Sequence, residues 1–120
     1  MITHPRAEEL TAAVARWIDE VRPGLDPRNA FLARVAANIL GVVARQQQLG
    51  PAAEAAAVER LTVLLDHRGD FAGLNRDLCE RVREGRMDVT TPGLIEVLKA
   101  NVLDQLAIDQ PNYRHEGLGA

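Results

Sequence analysis

Aromatic residues are nearly missing from this chain: two phenylalanines, one tryptophan and one tyrosine make up 3% of its 120 residues. With a hydrophobic fraction of 47%, the interior has to be built from alanine, leucine, valine and isoleucine, which suits close helix packing better than a sandwich or barrel. Serine is absent altogether. No serine nucleophile is therefore available. The single cysteine, Cys79, excludes an internal disulfide and belongs to no CxxC pair, and its place on a helix face predicts a packed thiol rather than a reactive one. The three histidines, His4, His67 and His115, fall in a terminus, a loop and a tail, without a second ligand at metal spacing. Glycine-rich phosphate loops are missing too. No metal and no cofactor is expected.

Charge of one sign is also scarce. Fourteen basic residues face 17 acidic ones, a net charge of −3. Arg76, Arg81, Arg83 and Arg86 look like a basic cluster until Asp77, Glu80, Glu84 and Asp88 are counted among them. Interspersed charge of this kind argues against binding nucleic acid or an anionic membrane surface. No run approaches the ~20 apolar residues that span a bilayer, and MITHPRAEEL lacks the apolar stretch of a signal peptide. A cytoplasmic protein is expected.

What is present is helical periodicity. A chain of this length suits one domain with a real core. The spacing predicts an all-α, single-domain bundle of about five helices around a central apolar helix over residues 1–113, with 114–120 as a flexible tail. Pro5 opens the first helix, and Leu10, Ala13, Val14, Trp17, Ile18 and Val21 form its apolar face, with Trp17 as packing anchor. Pro23 and Gly24 end it. The central helix runs from the N-cap Asp26 and Pro27 to Gln48, and Phe31, Leu32, Val35, Ala36, Ile39, Leu40, Val42 and Val43 cover half its circumference. A helix so apolar is expected to be sheathed by its neighbours.

Leu49, Gly50 and Pro51 read as the break before a third helix that ends at Leu65. Asp70 caps a shorter helix that stops at Gly85. Thr91 and Pro92 supply an N-cap and first-turn pair for the last one, which ends near Asp109 because Pro111 follows.

Polar residues sit beside these apolar stripes. Arg34 and Asn38 lie one turn apart on the central helix, Asn75 adjoins the fourth, Asn101 and Asp104 interrupt the last, and Asp109 and Tyr113 close it. Several of them are expected to meet. One version is a buried hydrogen-bond network in which Arg34 pairs with Asp104 or Asp109 and fixes helix register. The other is a pocket in which Arg34 grips a carboxylate or phosphate and the amides orient it.

The strings FLARVAANIL, LGPAAEAA, LNRDLCERVREGRMD and VLDQLAIDQPNY, taken in that order from Phe31 to Tyr113, resemble a bacterial family of small all-helical proteins of unknown function. Arg34, Asn38, Asn75, Asp109, Pro111 and Tyr113 match its pattern, while Gln110 stands where the family ending, LAIDNPRY-like, has Asn. The resemblance implies genes beside aminoglycoside-phosphotransferase-like kinases and acyl-CoA dehydrogenases. It carries over no catalytic residue. The expected function is non-catalytic association with protein, as an accessory to a phosphotransferase-like kinase and, with a second copy of the chain, as a homodimer. The alternative is binding of a small anion, acyl or phosphorylated, in the polar seam. An enzyme with Asp104 or Asp109 as base comes last, for want of a second catalytic group.

Overall fold

The computed structural model describes residues 4–113. It contains α1 (Ala7–Val21), a 3-10 turn (Arg22–Gly24), α2 (Pro27–Leu65), α3 (Phe71–Arg83) and α4 (Leu94–Asp109), with no strand among the described residues. The expectation of an all-helical chain holds among the described residues, but with four α-helices rather than about five. The difference lies at Pro51, which sits inside α2 instead of opening a new helix. A proline there removes one backbone hydrogen bond and crowds the carbonyl four residues back. Helix-favouring residues flank it on both sides, Gln46, Gln47 and Gln48 before and Ala52, Ala53, Glu54 and Ala55 after. Their propensity outweighs one lost bond.

The other boundaries follow the local chemistry. Asp26 caps α2, its Oδ1 accepting from the Asn29 backbone N–H at 2.8 Å, and Asp70 caps α3 through Gly73 N–H at 2.8 Å. Gly85 closes α3 in the left-handed region, φ 77°, while the Arg86 N–H reaches back to the Arg81 carbonyl at 2.8 Å. That is the Schellman arrangement, and it requires a residue free to take positive φ. The start of α4 departs from expectation. Thr91 turns its Oγ1 back to accept from the Asp88 N–H at 3.0 Å, so it is spent on the preceding turn. The N-cap is Gly93, φ 86°. Residues 114–120, expected to be a flexible tail and including His115, lie outside the described residues.

The chain divides into two compact units, one up to Gly50 and one from Pro51. The second has an interior. Leu61, Leu65, Leu74, Leu78, Met87 and Leu94 are buried together, with Val58, Leu64, Phe71 and Val97 packed against them. Leu61 and Leu74 are fully buried. The leucines of α3 recur at i and i+4 and those of α2 do the same, so two stripes meet.

The first unit is built differently. α1 and the N-terminal part of α2 form a hairpin whose half-buried positions include Thr11, Ala12, Ala15 and Ile18 on one side and Ala30, Ala33, Ala36, Leu40, Gly41, Val42 and Ala44 on the other. Its one buried hydrophobic side chain among the described residues is Ala37. The bulky residues lie outside: Trp17 is 61% exposed, Phe31 64%, Ile39 58% and Val35 38%. The expectation that the apolar helix is sheathed, and that Trp17 anchors packing, is therefore overturned. A helical wheel shows which sector is apolar but not which part of that sector meets the neighbour. Here mostly the small residues do, joined by Ile18 and Leu40, because small side chains allow the closest approach of two backbones.

Cys79, expected to be packed, is exposed on α3. Leu74 and Leu78 turn the other side of that helix to the core.

The two units give different responses to truncation. Leu61→Ala should cost about 2–5 kcal/mol, the range for an aliphatic side chain removed from a filled core, whereas Val63→Ala, at an exposed position two residues on, should stay within about 0.5 kcal/mol. Chemical denaturation of both variants measures the contrast.

Candidate functional site

The hairpin has two unlike flanks. On one, Thr11 Oγ1 and Gln47 Oε1 meet at 3.2 Å, and at ~100° per residue the stripe Leu10, Val14, Trp17 and Val21 falls on that side of α1, with Leu32, Ile39 and Val43 on the same side of α2. All seven are exposed. No charged residue interrupts these stripes between Leu10 and Val21 or between Leu32 and Val43.

On the other flank is an open cleft of about 450 Å³, floored by Ala12, Ala15, Gly41 and Ala44 and rimmed by Arg6, Glu8, Glu9, Arg16, Arg45 and Gln48. Its charges partly cancel. Arg6 contacts Glu8 at 3.2 Å and Glu9 at 3.1 Å, and Glu9 also accepts from the Arg6 backbone N–H at 3.2 Å, which closes the first turn of α1. Small residues make the floor for the same reason that they make the helix seam.

The polar residues singled out in the sequence are distributed over both units. Arg34 and Asn38 stand on the hairpin, exposed; Asn75, Asp109 and Tyr113 are exposed on the second unit. Asn101 and Asp104 do meet. Arg60 Nη1 donates to Asn101 Oδ1 at 3.0 Å and to Asp104 Oδ2 at 2.9 Å, and all three are partly buried. The arginine that grips Asp104 is thus Arg60 from α2, a residue that helical spacing alone did not mark. Its signal was position: it adjoins Leu61 and the buried Ala57 lies three residues before it. Asp109 accepts from Gln105 Nε2 at 3.1 Å, one turn back.

A second cluster was also missed. His67 Nε2 lies 2.6 Å from Asp77 Oδ2, and Arg81 Nη2 reaches the same carboxylate at 3.0 Å and the Leu65 carbonyl at 3.2 Å. Arg81 thereby satisfies an orphan carbonyl at the end of α2 with a side chain from α3. The Nδ1 of His67 faces the Arg68 carbonyl at 3.2 Å. Both ring nitrogens face acceptors, and the imidazolium, with two N–H groups, serves both. The hydrogen bond to Asp77 accordingly raises the His67 pKa above 6.5, and His67 in turn holds the Asp77 carboxyl below its ordinary range. Asp88 is lowered as well, by hydrogen bonds from Thr90.

What these parts define is a small all-helical domain whose second unit holds its polar side chains in structural pairs and whose first unit leaves its apolar ones open. No group of three or more His, Cys, Asp or Glu able to hold a metal occurs among the described residues, and no described helix is long and apolar enough to cross a membrane. The chain belongs to a family described as a domain of unknown function, DUF6285, whose model matches residues 23–113. That match takes in α2, α3 and α4 and leaves α1 outside. No curated protein and no solved structure matches the chain.

The His67–Asp77 bond sets a pH window. Its contribution to stability is complete where His67 is protonated and Asp77 ionised. It fades as pH rises through the raised His67 pKa, and again as pH falls through the lowered Asp77 pKa. Asp77→Asn should move the His67 midpoint down toward ~6.5, read by NMR titration of the His67 ring protons; an unmoved midpoint would mean that the pair does not form in solution.

Proposed function

We propose that this protein works by holding proteins together rather than by catalysing a reaction. The observation that carries the reading is the uncovered flank of the hairpin, where Leu10, Val14, Trp17, Val21, Leu32, Ile39 and Val43 all stand open. Monomeric proteins rarely keep a contiguous apolar patch of several hundred Å² in water, and larger ones mark association surfaces. Aromatic anchors such as Trp17 and Phe31 are the residues that dominate such contacts. The carboxylates considered as bases support the same reading, since Asp104 is held by Arg60 and Asp109 by Gln105.

The kinase comes from the resemblance alone: a phosphotransferase-like kinase encoded nearby is the protein to which this chain would act as accessory. Co-expression with that kinase should give a complex that survives purification at micromolar concentration. Separate elution of the two would remove the kinase from the proposal.

A second reading has an observation of its own. Arg34 is exposed and, among the described residues, none of the ion pairs involves it. An acyl or phosphorylated anion would suit its guanidinium, with Asn38 one turn on as a further donor. In a thermal-shift screen of such anions, stabilisation of the wild type should vanish in Arg34→Met and persist in Arg76→Met. No hit among the anions would remove this reading.

A further inference from the structure

We propose that the partner on the apolar flank of the hairpin is a second copy of this chain, so that two hairpins pair across a two-fold axis as a four-helix bundle. The inference rests on the association reading above and names the partner of that surface.

Three observations carry it. The first is area. Leu10, Val14, Trp17 and Val21 on α1 with Leu32, Val35, Ile39 and Val43 on α2 are between 37% and 61% exposed, which leaves on the order of 700 Å² of apolar residue surface open, close to the ~800 Å² that each partner gives to a standard interface. The flank is as large as a stable dimer needs.

The second is spacing. The α1 stripe steps by four, three and four residues and the α2 stripe by three, four and four, about 3.67 per turn and close to the helix's own 3.6, so each stripe keeps to one line along its helix over three turns. α1 and the start of α2 run antiparallel, since the 3-10 turn Arg22–Gly24 joins them at one end and Thr11 meets Gln47 toward the other. Two antiparallel hairpins laid flank to flank make a four-helix bundle.

The third is the missing interior. With Ala37 as its one buried hydrophobic side chain among the described residues, the hairpin spends chiefly small residues, with Ile18 and Leu40, on its own seam and leaves the eight bulky ones of the flank open. An identical flank supplies what the seam lacks, because the same stripe is self-complementary under a two-fold axis. The charges gather elsewhere: Glu8, Glu9, Arg16 and Arg45 rim the cleft on the opposite flank. A dry, uncharged stripe offers nothing by which a charged partner would be selected.

Light scattering after size exclusion tests the proposal on the full chain. The expected mass is twice the 13.1 kDa of one chain at micromolar concentration. Trp17, the only tryptophan, should shift its emission to the blue as the dimer forms. Val14→Glu and Ile39→Glu should each weaken dimerisation at least about tenfold, because a carboxylate is placed in a dry contact, while Asp19→Lys should leave it unchanged. Should either glutamate variant lose helicity, Val14→Ala and Ile39→Ala trim the same contact without burying charge, and they too should weaken it.

A strict monomer up to about 200 µM, whatever the colour of its Trp17 emission, overturns the proposal. So does a dimer indifferent to substitution at Val14 and Ile39. A monomer that still binds the kinase through this flank, with the complex lost in Ile39→Glu, keeps the association reading and discards self-pairing. A monomer that binds no kinase discards both.

Discussion

The constraint on which the first half of this protein depends is the use of its small residues. Ala12, Ala15, Gly41 and Ala44 line the same side of the hairpin seam, and Ala37 is buried in it. Close approach of two backbones gains dispersion contacts, but methyl groups remove little apolar surface from water. Of the large side chains Ile18 and Leu40 share in that seam, and most of the others stay outside it. They are left on the outer flanks, where water is the poorest available neighbour for them. The same choice opens the polar cleft on the far side, where Arg6, Arg16, Arg45, Glu8, Glu9 and Gln48 stand around an alanine and glycine floor.

The second unit resolves the same composition in the opposite way. Leucines of α2 and α3 interlock, Met87 and Leu94 fill the remaining space, and the core includes no aromatic residue except the half-buried Phe71 at its edge. Polar groups there act as joints. Arg60 ties α2 to α4 through Asn101 and Asp104, and Arg81 ties α3 to the end of α2 through the Leu65 carbonyl. Each guanidinium serves two acceptors, which the planar fork does at less entropic cost per bond than an ammonium would. The near absence of lysine, with Lys99 alone among 14 basic residues, is consistent with cations used in this way.

Much of this was legible in the order of residues. Asp26 with Pro27, Asp70, and Gly85 marked helix ends because capping is a local event, decided within three or four residues. The apolar stripes of α1 and α2 were legible for the same reason. Their neighbours were not. Val35 and Ile39 read as sheathed because a wheel ranks faces by polarity, whereas the actual seam was chosen by side-chain size. Gly50 and Pro51 read as a break because the penalty is local, and the run of helix formers on both sides outweighed it. Thr91 read as a cap, but its hydroxyl was already taken by Asp88 in the turn before. Among the polar residues, Asn101 and Asp104 were found and their arginine was not. Arg34 stood out by its place in an apolar helix, while Arg60 looked like an ordinary surface charge beside Glu59.

The sequence by itself determined that the chain is helical, where most of its helices start and stop, and that it offers neither a serine nucleophile nor an internal disulfide, because those properties are set by composition and by contacts a few residues long. Only the tertiary structure decided which apolar stripe was buried and which was left open, and which cation met which carboxylate. Those outcomes depend on how closely two helices approach and on partners 40 or so residues apart, as with Arg60 and Asp104, and no local pattern encodes that distance.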